Sequence, residues 1–385
     1  MGFNPFIDDA PIENPEEWIG DQSVIGQLKN CVSKSKTCTY ILGPEGSGKT
    51  SLLRTTFTPE YKREMAKTKK KLIYSADLST RSDGDDLCKY LADRLEDSLN
   101  NLIRDKELLE EMKEDIGESN TTSGITRLQN MIEKLHDNWG YFIIIVMDYF
   151  ELFTMSEHVT QEHHDCLRSL IESGCIQCIV AINYDLSKDS LPSDIRGSYF
   201  LQKFTNSIEM EFFGQEDVEA YLRIKQEDGP VYITEDMQLR IYQLSGGIPK
   251  FVHLLAKHIY ENGMNNQGTV NVGEAVKTAR VQCERLMDGW CKVLTEEQVK
   301  VLQTIAAQCT SNKEYGYFDF TGSGVAVETA VASLLHRGLL KKYVFQDKNG
   351  YLVSQDYLVQ FNSLLFQKYC IESKMIEAAK QNPLR

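Results

Sequence analysis

The sequence predicts an α/β fold: a parallel sheet with helices on both faces, followed by a helical lid domain and a C-terminal winged helix-turn-helix. Between about residues 22 and 213, short apolar runs alternate with amphipathic helical patterns, which is the order that a parallel sheet covered on both faces requires. Helical patterns dominate from residue 214, and two strands separated by a turn follow later. The predicted strands of the sheet are TYILGP (39–44), KLIYSADL (71–78), YFIIIVMD (141–148), QCIVAIN (177–183) and SIEMEFF (207–213).

The segment between the second and third strands predicts a long polar helical stretch. Its apolar residues recur every four positions and predict one buried stripe, formed by Leu87, Leu91, Leu95 and Leu99. We interpret the charges as a solvated helix face, with a partner surface as the alternative. The run GESNTTSG (117–124) is typical of a loop.

The C-terminal third carries helix signals followed by a hairpin signal. TEEQVKVLQTIAAQ predicts a helix with Thr295 as its N-cap, and VAVETAVASLLHRG predicts a second helix that ends at Gly338. Two strands then flank the turn dipeptide Asn349-Gly350, which is a strong hairpin signal. Helices followed by a β-hairpin describe a winged helix-turn-helix.

The length of 385 residues predicts two or three domains. Shifts in pattern along the chain place the boundaries. The predicted segments are an N-terminal segment (1–21), an α/β core (22–213), a helical lid (214–288), a winged-helix domain (289–370) and a C-terminal tail (371–385).

The charge balance argues against a protein built mainly to coat nucleic acid. The formal net charge is -14 and the pI is about 5.1, so a phosphate polyanion would be repelled by most of the surface. One local cluster of cations, YKREMAKTKKK (61–71), is the exception. It is interpreted as a solvated helix end, with contact to nucleic-acid phosphates or to an acidic partner as alternatives.

Membrane and secretory signals are weak in this sequence. No run approaches the ~20 apolar residues of a membrane span, and the first residues lack the basic and apolar regions of a signal peptide. The start Met-Gly is followed by Phe6 where myristoylation requires Ser or Thr. The ten scattered cysteines are typical of reduced thiols. We therefore expect a cytoplasmic protein without disulfides.

The segment GPEGSGKT (43–50) fits G-x-x-x-x-G-K-[ST] at every fixed position and lies between a predicted strand and a predicted helix. In such a loop, backbone N–H groups surround phosphates, Lys49 neutralises the β and γ phosphates, and the Thr50 hydroxyl binds Mg²⁺. Ser51 begins a helix whose N-terminus favours an anion. The predicted ATP-binding residues are Gly43, Pro44, Glu45, Gly46, Ser47, Gly48, Lys49, Thr50 and Ser51.

The segment IIIVMDYFELF (143–153) predicts the second half of this site. Asp148 closes a hydrophobic strand, where a carboxylate would reach Mg²⁺ through water. The next residue, Tyr149, is a poor general base because a phenol has a pKa near 10. Glu151 could serve instead if the strand ends sharply. Catalysis by Glu151, weak or partner-dependent hydrolysis, and near absence of hydrolysis all remain open.

Asn183 ends the fourth predicted strand. An amide at the end of a strand beside the nucleotide could orient water or contact the γ-phosphate, which makes Asn183 a candidate catalytic residue. The alternative is an asparagine that caps the following helix or loop.

Taken together, these segments resemble the STAND and Orc/Cdc6-like branches of the P-loop ATPases, which are relatives of the AAA+ family. The phosphate loop is specific for nucleotide, whereas the other motifs are individually weak. The resemblance covers nearly the whole chain in order. It depends on NPEEWIGDQSVIGQLKNCV, GPEGSGKTSLL, VMDYFELF, AINYDL, GSYFLQKFTNSIEMEFFGQEDVEAYL and LSGGIPKFVHLLAKHI.

The resemblance implies further contacts with the nucleotide. The N-terminal segment (1–21) would contact the base through the backbone near Ile19, although Asp21 replaces the usual arginine of a hydrophobic-Gly-Arg segment. Pro249, in the Gly-x-Pro motif of the lid, would pack near the adenine. By its position Arg196 is a candidate arginine finger for a neighbouring subunit, with an ordinary surface arginine as the favoured alternative.

Zinc binding is a possible role for EHHDC (162–166) and CIQC (175–178), which bring histidines and cysteines into the same region. The candidate ligands are His163, His164, Cys166, Cys175 and Cys178. The second cysteine pair runs directly into a predicted buried strand, so ordinary buried thiols and helix-surface histidines are favoured.

The second helix of the predicted winged helix is poorly suited to reading bases. It carries His336 and Arg337 only at its far end, with Glu328 near its start, whereas base-reading helices present Arg, Lys, Asn or Gln along the exposed face. Protein contact or intramolecular use is therefore favoured over DNA reading. Weak contact with a nucleic-acid backbone would use Lys341, Lys342 and Lys348.

Three functions remain open at this point. The favoured one is an ATP-dependent conformational switch that acts on a protein partner or assembles as a homo-oligomer, with slow or partner-stimulated hydrolysis. The alternatives are an Orc/Cdc6-like DNA-binding ATPase and a pseudo-ATPase scaffold that binds nucleotide to stay folded.

Overall fold

The computed structural model describes most of the chain in thirteen stretches. It falls into two compact units: the sheet unit (Pro11–Gly43 and Lys49–Met210) and the C-terminal unit (Met1–Ala10, Pro44–Gly48 and Glu211–Arg385). None of the helices within the described stretches is long and apolar enough to span a bilayer. The described residues are 4–6, 10–34, 37–81, 86–116, 123–154, 156, 158–183, 198–226, 230–266, 268–292, 294–309, 317–346 and 352–372.

The sheet unit contains five parallel strands in the order β2-β3-β4-β1-β5. This confirms the predicted α/β fold with a parallel sheet. Its elements are α1 (Gln22–Lys34), β1 (Cys38–Leu42), α2 (Lys49–Thr56), α3 (Pro59–Lys69), β2 (Lys71–Asp77), α4 (Leu87–Leu102), α5 (Lys106–Ile116), α6 (Gly124–Asp137), β3 (Phe142–Asp148), α7 (Glu151–Thr154), α8 (Gln161–Glu172), β4 (Ile176–Ile182) and β5 (Phe204–Glu209).

The interior strands β3 and β4 are buried because helices cover both faces of the sheet. Every residue of β4 is buried. Successive side chains of β3 enter opposite cores: Ile143 and Ile145 pack with residues of α4, α6 and α8, whereas Ile144 and Val146 pack with residues of α1, α2 and α3. This alternation follows from the two-residue period of a strand and confirms the predicted helices on both faces.

Two predicted elements differ most from the structure. β5 ends at Glu209, four residues before the predicted end at residue 213, because its partner β1 stops at Leu42, where the phosphate loop begins. The long polar stretch is two helices, since Ile103 is extended after α4 and the Asp105 side chain accepts the N–H of Leu108 in α5. The leucine stripe of α4 is buried as predicted: Leu87, Leu91, Leu95 and Leu99.

The C-terminal unit contains helices and a three-stranded antiparallel sheet in the order β6-β8-β7. The predicted N-cap Thr295 is confirmed: its Oγ1 accepts the Gln298 N–H at 3.3 Å, and its own N–H donates to the Gln298 side chain at 2.9 Å. The turn Asn349-Gly350 lies outside the described residues. The elements are α9 (Gln215–Gln226), α10 (Glu235–Ser245), α11 (Pro249–Asn265), α12 (Val272–Lys292), α13 (Glu296–Cys309), β6 (Tyr317–Asp319), α14 (Val325–His336), β7 (Leu340–Gln346), β8 (Leu352–Phe361) and α15 (Leu364–Glu372).

Candidate nucleotide site

The phosphate loop joins β1 to α2, as the sequence predicts. The Gly43 N–H donates to the Ile182 carbonyl at 3.3 Å, which ties the start of the loop to the end of β4. α2 begins at Lys49, two residues before the predicted start at Ser51. The first N–H groups of a helix have no partner within it, so this start favours an anion. The Ser51 hydroxyl accepts the Ile12 N–H at 3.1 Å.

The tip of the loop, Pro44–Gly48, lies within the C-terminal unit. The Lys250 N–H, in the first turn of α11, donates to the Gly46 carbonyl at 3.1 Å. At Gly46 φ is +86°, and an added Cβ would lie 3.0 Å from Lys250 Cβ, so glycine is favoured on both grounds. Glu45 is half-buried. The Ser47 hydroxyl is buried and has no hydrogen-bond partner in the described chain, which fits a phosphate oxygen as its partner.

Lys49 is the cation of the loop. Its side chain is only 8% exposed, and a buried ammonium is costly unless it donates hydrogen bonds. Its Nζ donates to the Gly43 carbonyl and to Asn183 Oδ1, both at 2.7 Å. The lysine is thus held in the sheet unit at the end of β4.

Asn183 connects this lysine to a carboxylate. Its Oδ1 accepts from Lys49, while its Nδ2 donates to Glu151 Oε1 at 2.5 Å. The two neighbours fix the orientation of the amide, because an ammonium can only donate and a carboxylate can only accept. Three predicted site residues, Lys49, Asn183 and Glu151, are therefore brought together in one hydrogen-bonded chain.

Asp148 and Thr50 form the second connected pair. Their side chains are hydrogen-bonded, and Asp148 is buried. Burial raises the pKa of Asp148, and the hydrogen bonds from the Thr50 hydroxyl and the Tyr149 N–H oppose that rise. One carboxylate and one hydroxyl supply the hard oxygen ligands that Mg²⁺ prefers, so the pair fits the predicted metal.

Tyr149 produces a sharp end to β3. Its φ is +55°, in the left-handed region, which is uncommon for a residue other than glycine. Its N–H donates to Asp148 Oδ1 at 3.0 Å, and the following Phe150 N–H donates to the Ala181 carbonyl at 2.9 Å. The chain then enters α7 at Glu151. This turn brings the Glu151 carboxylate to Asn183.

The sequence reasoning missed Asp77. It ends β2 directly in register with Asp148 at the end of β3, and its charge contributes to the raised pKa of Asp148. The Asp77 carboxylate also accepts the Ser79 N–H at 3.0 Å. The available signal was that one predicted strand ends in aspartate and another has aspartate as its last residue but one, but the adjacency of these strands in the sheet is not visible in the sequence.

The predicted base-contacting residues belong to different units. Ile19, which is half-buried, lies in the sheet unit, and Pro249, also half-buried, is the first residue of α11 in the C-terminal unit. Asp21 caps α1: its carboxylate accepts from the Ser23 hydroxyl at 2.5 Å and from the Ser23 N–H at 2.7 Å, and these two hydrogen bonds lower its pKa. The candidate arginine finger Arg196 lies outside the described residues.

The residues considered for zinc have other contacts. His163 forms a capping box with Thr160 at the start of α8, and His164 bonds to the Ser198 hydroxyl at 2.8 Å while burial lowers its pKa to about 4. The Cys166 thiol is hydrogen-bonded to another buried thiol. All ten cysteines are free, and within the described stretches no group of three potential ligands could hold a metal ion.

Several cations of the 61–71 cluster are used inside the sheet unit. Lys62 donates to the Ser75 hydroxyl at 2.8 Å, and burial lowers its pKa to about 8. Lys70 lies over the Tyr141 ring at 4.4 Å, and Lys71 donates to the Val32 carbonyl at 2.5 Å. Three ammonium groups of this cluster therefore have partners within the sheet unit.

Solved structures share this fold at low sequence identity. The Walker-type ATPase of Pyrococcus abyssi is 13% identical, with a TM-score of 0.56 over 95% of this chain and 99% of that chain. The ORC2 protein of Aeropyrum pernix in its ADPNP-ADP complexes is 12% identical, with a TM-score of 0.57 over 98% of each chain. The same protein in its ADP form is 12% identical, with a TM-score of 0.53 over 97% of each chain. At these identities the likeness shows the fold alone.

The family is shown by sequence. No curated protein matches the chain. A family model described as Novel STAND NTPase 1 matches residues 11–217, which is more than half of the 385 residues. The resemblance to the STAND branch of the P-loop ATPases is therefore confirmed, and the chain belongs to the Novel STAND NTPase 1 family.

Proposed function

We propose that the chain is an ATP-dependent conformational switch that acts on a protein partner and hydrolyses ATP slowly or when a partner stimulates it. The observation that carries this proposal is the hydrogen-bonded chain from Lys49 through Asn183 to Glu151. It connects the phosphate-binding cation to a carboxylate within the sheet unit. A fold that bound nucleotide only for stability would have no need of that connection.

Binding would use both halves of the phosphate loop. Backbone N–H groups of the loop and the Lys49 ammonium would hold the phosphates, while Thr50 and Asp148 would hold Mg²⁺. When bound, Mg²⁺ neutralises phosphate charge. Ile19 and Pro249 are proposed to contact the adenine, as the family resemblance implies.

Hydrolysis would depend on Glu151 and Asn183 rather than on Tyr149. Glu151 is proposed to position or deprotonate the attacking water, and Asn183 to hold Glu151 in place. If Lys49 exchanges Asn183 Oδ1 for a phosphate oxygen, the amide is left to orient only the carboxylate. The same exchange would couple nucleotide binding to the hydrogen bond that Asn183 donates to Glu151.

The switch would be transmitted through the C-terminal unit. The Gly46 carbonyl already accepts the Lys250 N–H, so a change in the loop reaches the first turn of α11. ATP can shift two domain arrangements only by its difference in affinity for them. We propose that α13, α14 and β6–β8 form a winged helix. The proposed domain boundaries are 1–21, 22–213, 214–288, 289–370 and 371–385.

The test is ATP turnover and nucleotide affinity of the purified protein and three variants. We expect Lys49→Ala to lose binding, and Glu151→Gln to keep binding while turnover falls about 100-fold. Glu162→Gln, an exposed glutamate on α8, is the matched control and should behave as the parent. Unchanged turnover in Glu151→Gln would contradict the assigned role of Glu151.

The two alternatives predict different outcomes. A scaffold would bind nucleotide without turnover and be stabilised equally by ATP and ADP. A DNA-binding ATPase would reduce the electrophoretic mobility of duplex DNA, and this binding would weaken strongly as the salt concentration rises. Two observations disfavour DNA: the internal contacts of the 61–71 cations, and the burial of Arg337, which is 9% exposed.

A further inference from the structure

A groove of about 820 Å³ runs between α11 and α12 within the C-terminal unit. Its apolar lining comprises Leu254 from α11 and Val281 and Leu286 from α12. Val281 is an apolar side chain that is 60% exposed, because it lies on the outward side of α12. The inward side of that helix is formed by the buried residues Ala275, Ala279, Cys283 and Met287.

Cations surround this apolar lining. Lys250 lies on α11, and Lys277 and Arg285 lie on α12. Lys277, Val281 and Arg285 are four residues apart in turn, so they form one line of about 12 Å along the helix. Lys277 and Arg285 make no ion pair with any described residue. Among the residues that the structure describes, no acidic side chain lines the groove, although the whole chain carries a net charge of -14.

We propose that this groove docks an acidic amphipathic helix of a partner protein. The apolar face of such a helix would cover Leu254, Val281 and Leu286, and its carboxylates would meet the cations at the edges. Helix-in-groove recognition combines these two features. A nucleic-acid backbone would meet the cations but would leave the apolar lining without a complementary surface.

The position of the groove connects it with the phosphate loop. The side chain of Lys250 lines the groove, and its backbone N–H donates to the Gly46 carbonyl in the same unit. A helix docked in the groove therefore contacts the residue that holds the loop. This inference rests on the proposed function, since it names the class of partner on which the switch acts.

The test uses designed peptides and fluorescence anisotropy. The probe is a labelled peptide of about 14 residues, long enough for about four helical turns, with leucines at helical spacing and glutamates beside them. A peptide of the same composition in permuted order lacks the apolar face. We expect the first peptide to bind at least about tenfold more tightly than the second, because only the first can cover the apolar lining.

Three variants locate the binding. Lys277→Glu/Arg285→Glu should lower the affinity for the amphipathic peptide at least about tenfold, because attraction between opposite charges becomes repulsion between like charges. Val281→Asp should weaken it to a similar extent. Arg223→Glu/Arg240→Glu makes the same change in net charge at exposed positions of α9 and α10, outside the groove, and should bind the peptide as the parent does.

Three results would overturn the proposal. If the groove variants bind the amphipathic peptide as tightly as the parent does, the peptide binds elsewhere. If the permuted peptide binds as tightly as the amphipathic one, binding is charge attraction alone. Tighter binding of duplex DNA, lost in the same variants, would make the groove a nucleic-acid surface. ATP affinity is measured in every protein. A parent protein that does not bind ATP would refute the proposed function. Variants that bind ATP but no longer bind the peptide have an intact nucleotide site.

Discussion

Gly247, in the Gly-Ile-Pro segment before α11, is predicted to be a position that tolerates no side chain. Its φ is +75°, and an added Cβ would lie 2.0 Å from the Phe213 carbonyl oxygen. The Phe213 N–H donates to the Gly247 carbonyl at 2.9 Å, so two backbone segments of the C-terminal unit meet here without space between them. Gly247→Ala must therefore move one backbone segment by about 1 Å, because real Cβ contacts are essentially never below 3.0 Å.

The expected change has three costs and one opposing contribution. The left-handed conformation costs alanine about 1–2 kcal/mol, and losing the hydrogen bond to Phe213 costs about 0.5–1.5 kcal/mol. The smaller conformational entropy of the unfolded alanine chain returns about 0.4–1 kcal/mol. Displacing packed backbone adds strain of about 1–4 kcal/mol. These contributions sum to about 1.5–7 kcal/mol, so Gly247→Ala should lower the free energy of unfolding by about 4 kcal/mol.

Gly322→Ala is the matched control. Gly322 has a similar φ of +69°, belongs to the same unit, and has no atom of the described residues within 4 Å of an added Cβ. Its substitution should cost only about 1 kcal/mol, the backbone contribution alone. Denaturant unfolding of the nucleotide-free proteins, followed by circular dichroism, gives both values. If the two variants are equally destabilised, the close approach at Phe213 is not what requires glycine.

Two further predictions concern the nucleotide site. Burial raises the pKa of Asp148 in the folded protein, so the ionised carboxylate destabilises the fold above that pKa and the penalty disappears below the unfolded value near 3.9. Asp148→Asn should raise the melting temperature of the nucleotide-free protein near pH 8, and the gain should shrink toward pH 4; a gain that grows on acidification would contradict this. Asn183→Ala removes the hydrogen bonds to the charged groups of Lys49 and Glu151, each worth about 1.5–3 kcal/mol. The rate of single-turnover ATP hydrolysis should fall about 10–100-fold, while ATP affinity changes only a few-fold. Lost affinity with unchanged turnover would refute that role.

The features that the sequence predicted correctly depend on local pattern. The stripe that includes Leu91 follows from helical spacing, and the cap at Thr295 follows from a hydroxyl three residues before Gln298. The phosphate loop is likewise a contiguous motif. Each feature is determined by residues within about one helical turn or one strand of each other, so no knowledge of the tertiary fold was needed.

The features that the sequence did not predict depend on contacts between distant residues. Lys49 and Asn183 are 134 positions apart, and Asp77 meets Asp148 only because β2 and β3 are neighbours in the sheet. The early end of β5 has the same origin, since a strand extends only as far as its partner. The groove between α11 and α12 likewise requires knowing which two helices lie side by side.

Tyr149 shows why a motif position can mislead about chemistry. In the sequence it occupies the place of a catalytic carboxylate, which favours a protein that only holds ATP. In the structure its φ of +55° ends the strand, and the chain that follows brings Glu151 to the amide that also holds Lys49. A carboxylate two residues later thus reaches a partner of the phosphate-binding lysine. In this chain, the carboxylate connected to the loop lysine is therefore the one that we propose for catalysis, and not the residue that follows the aspartate.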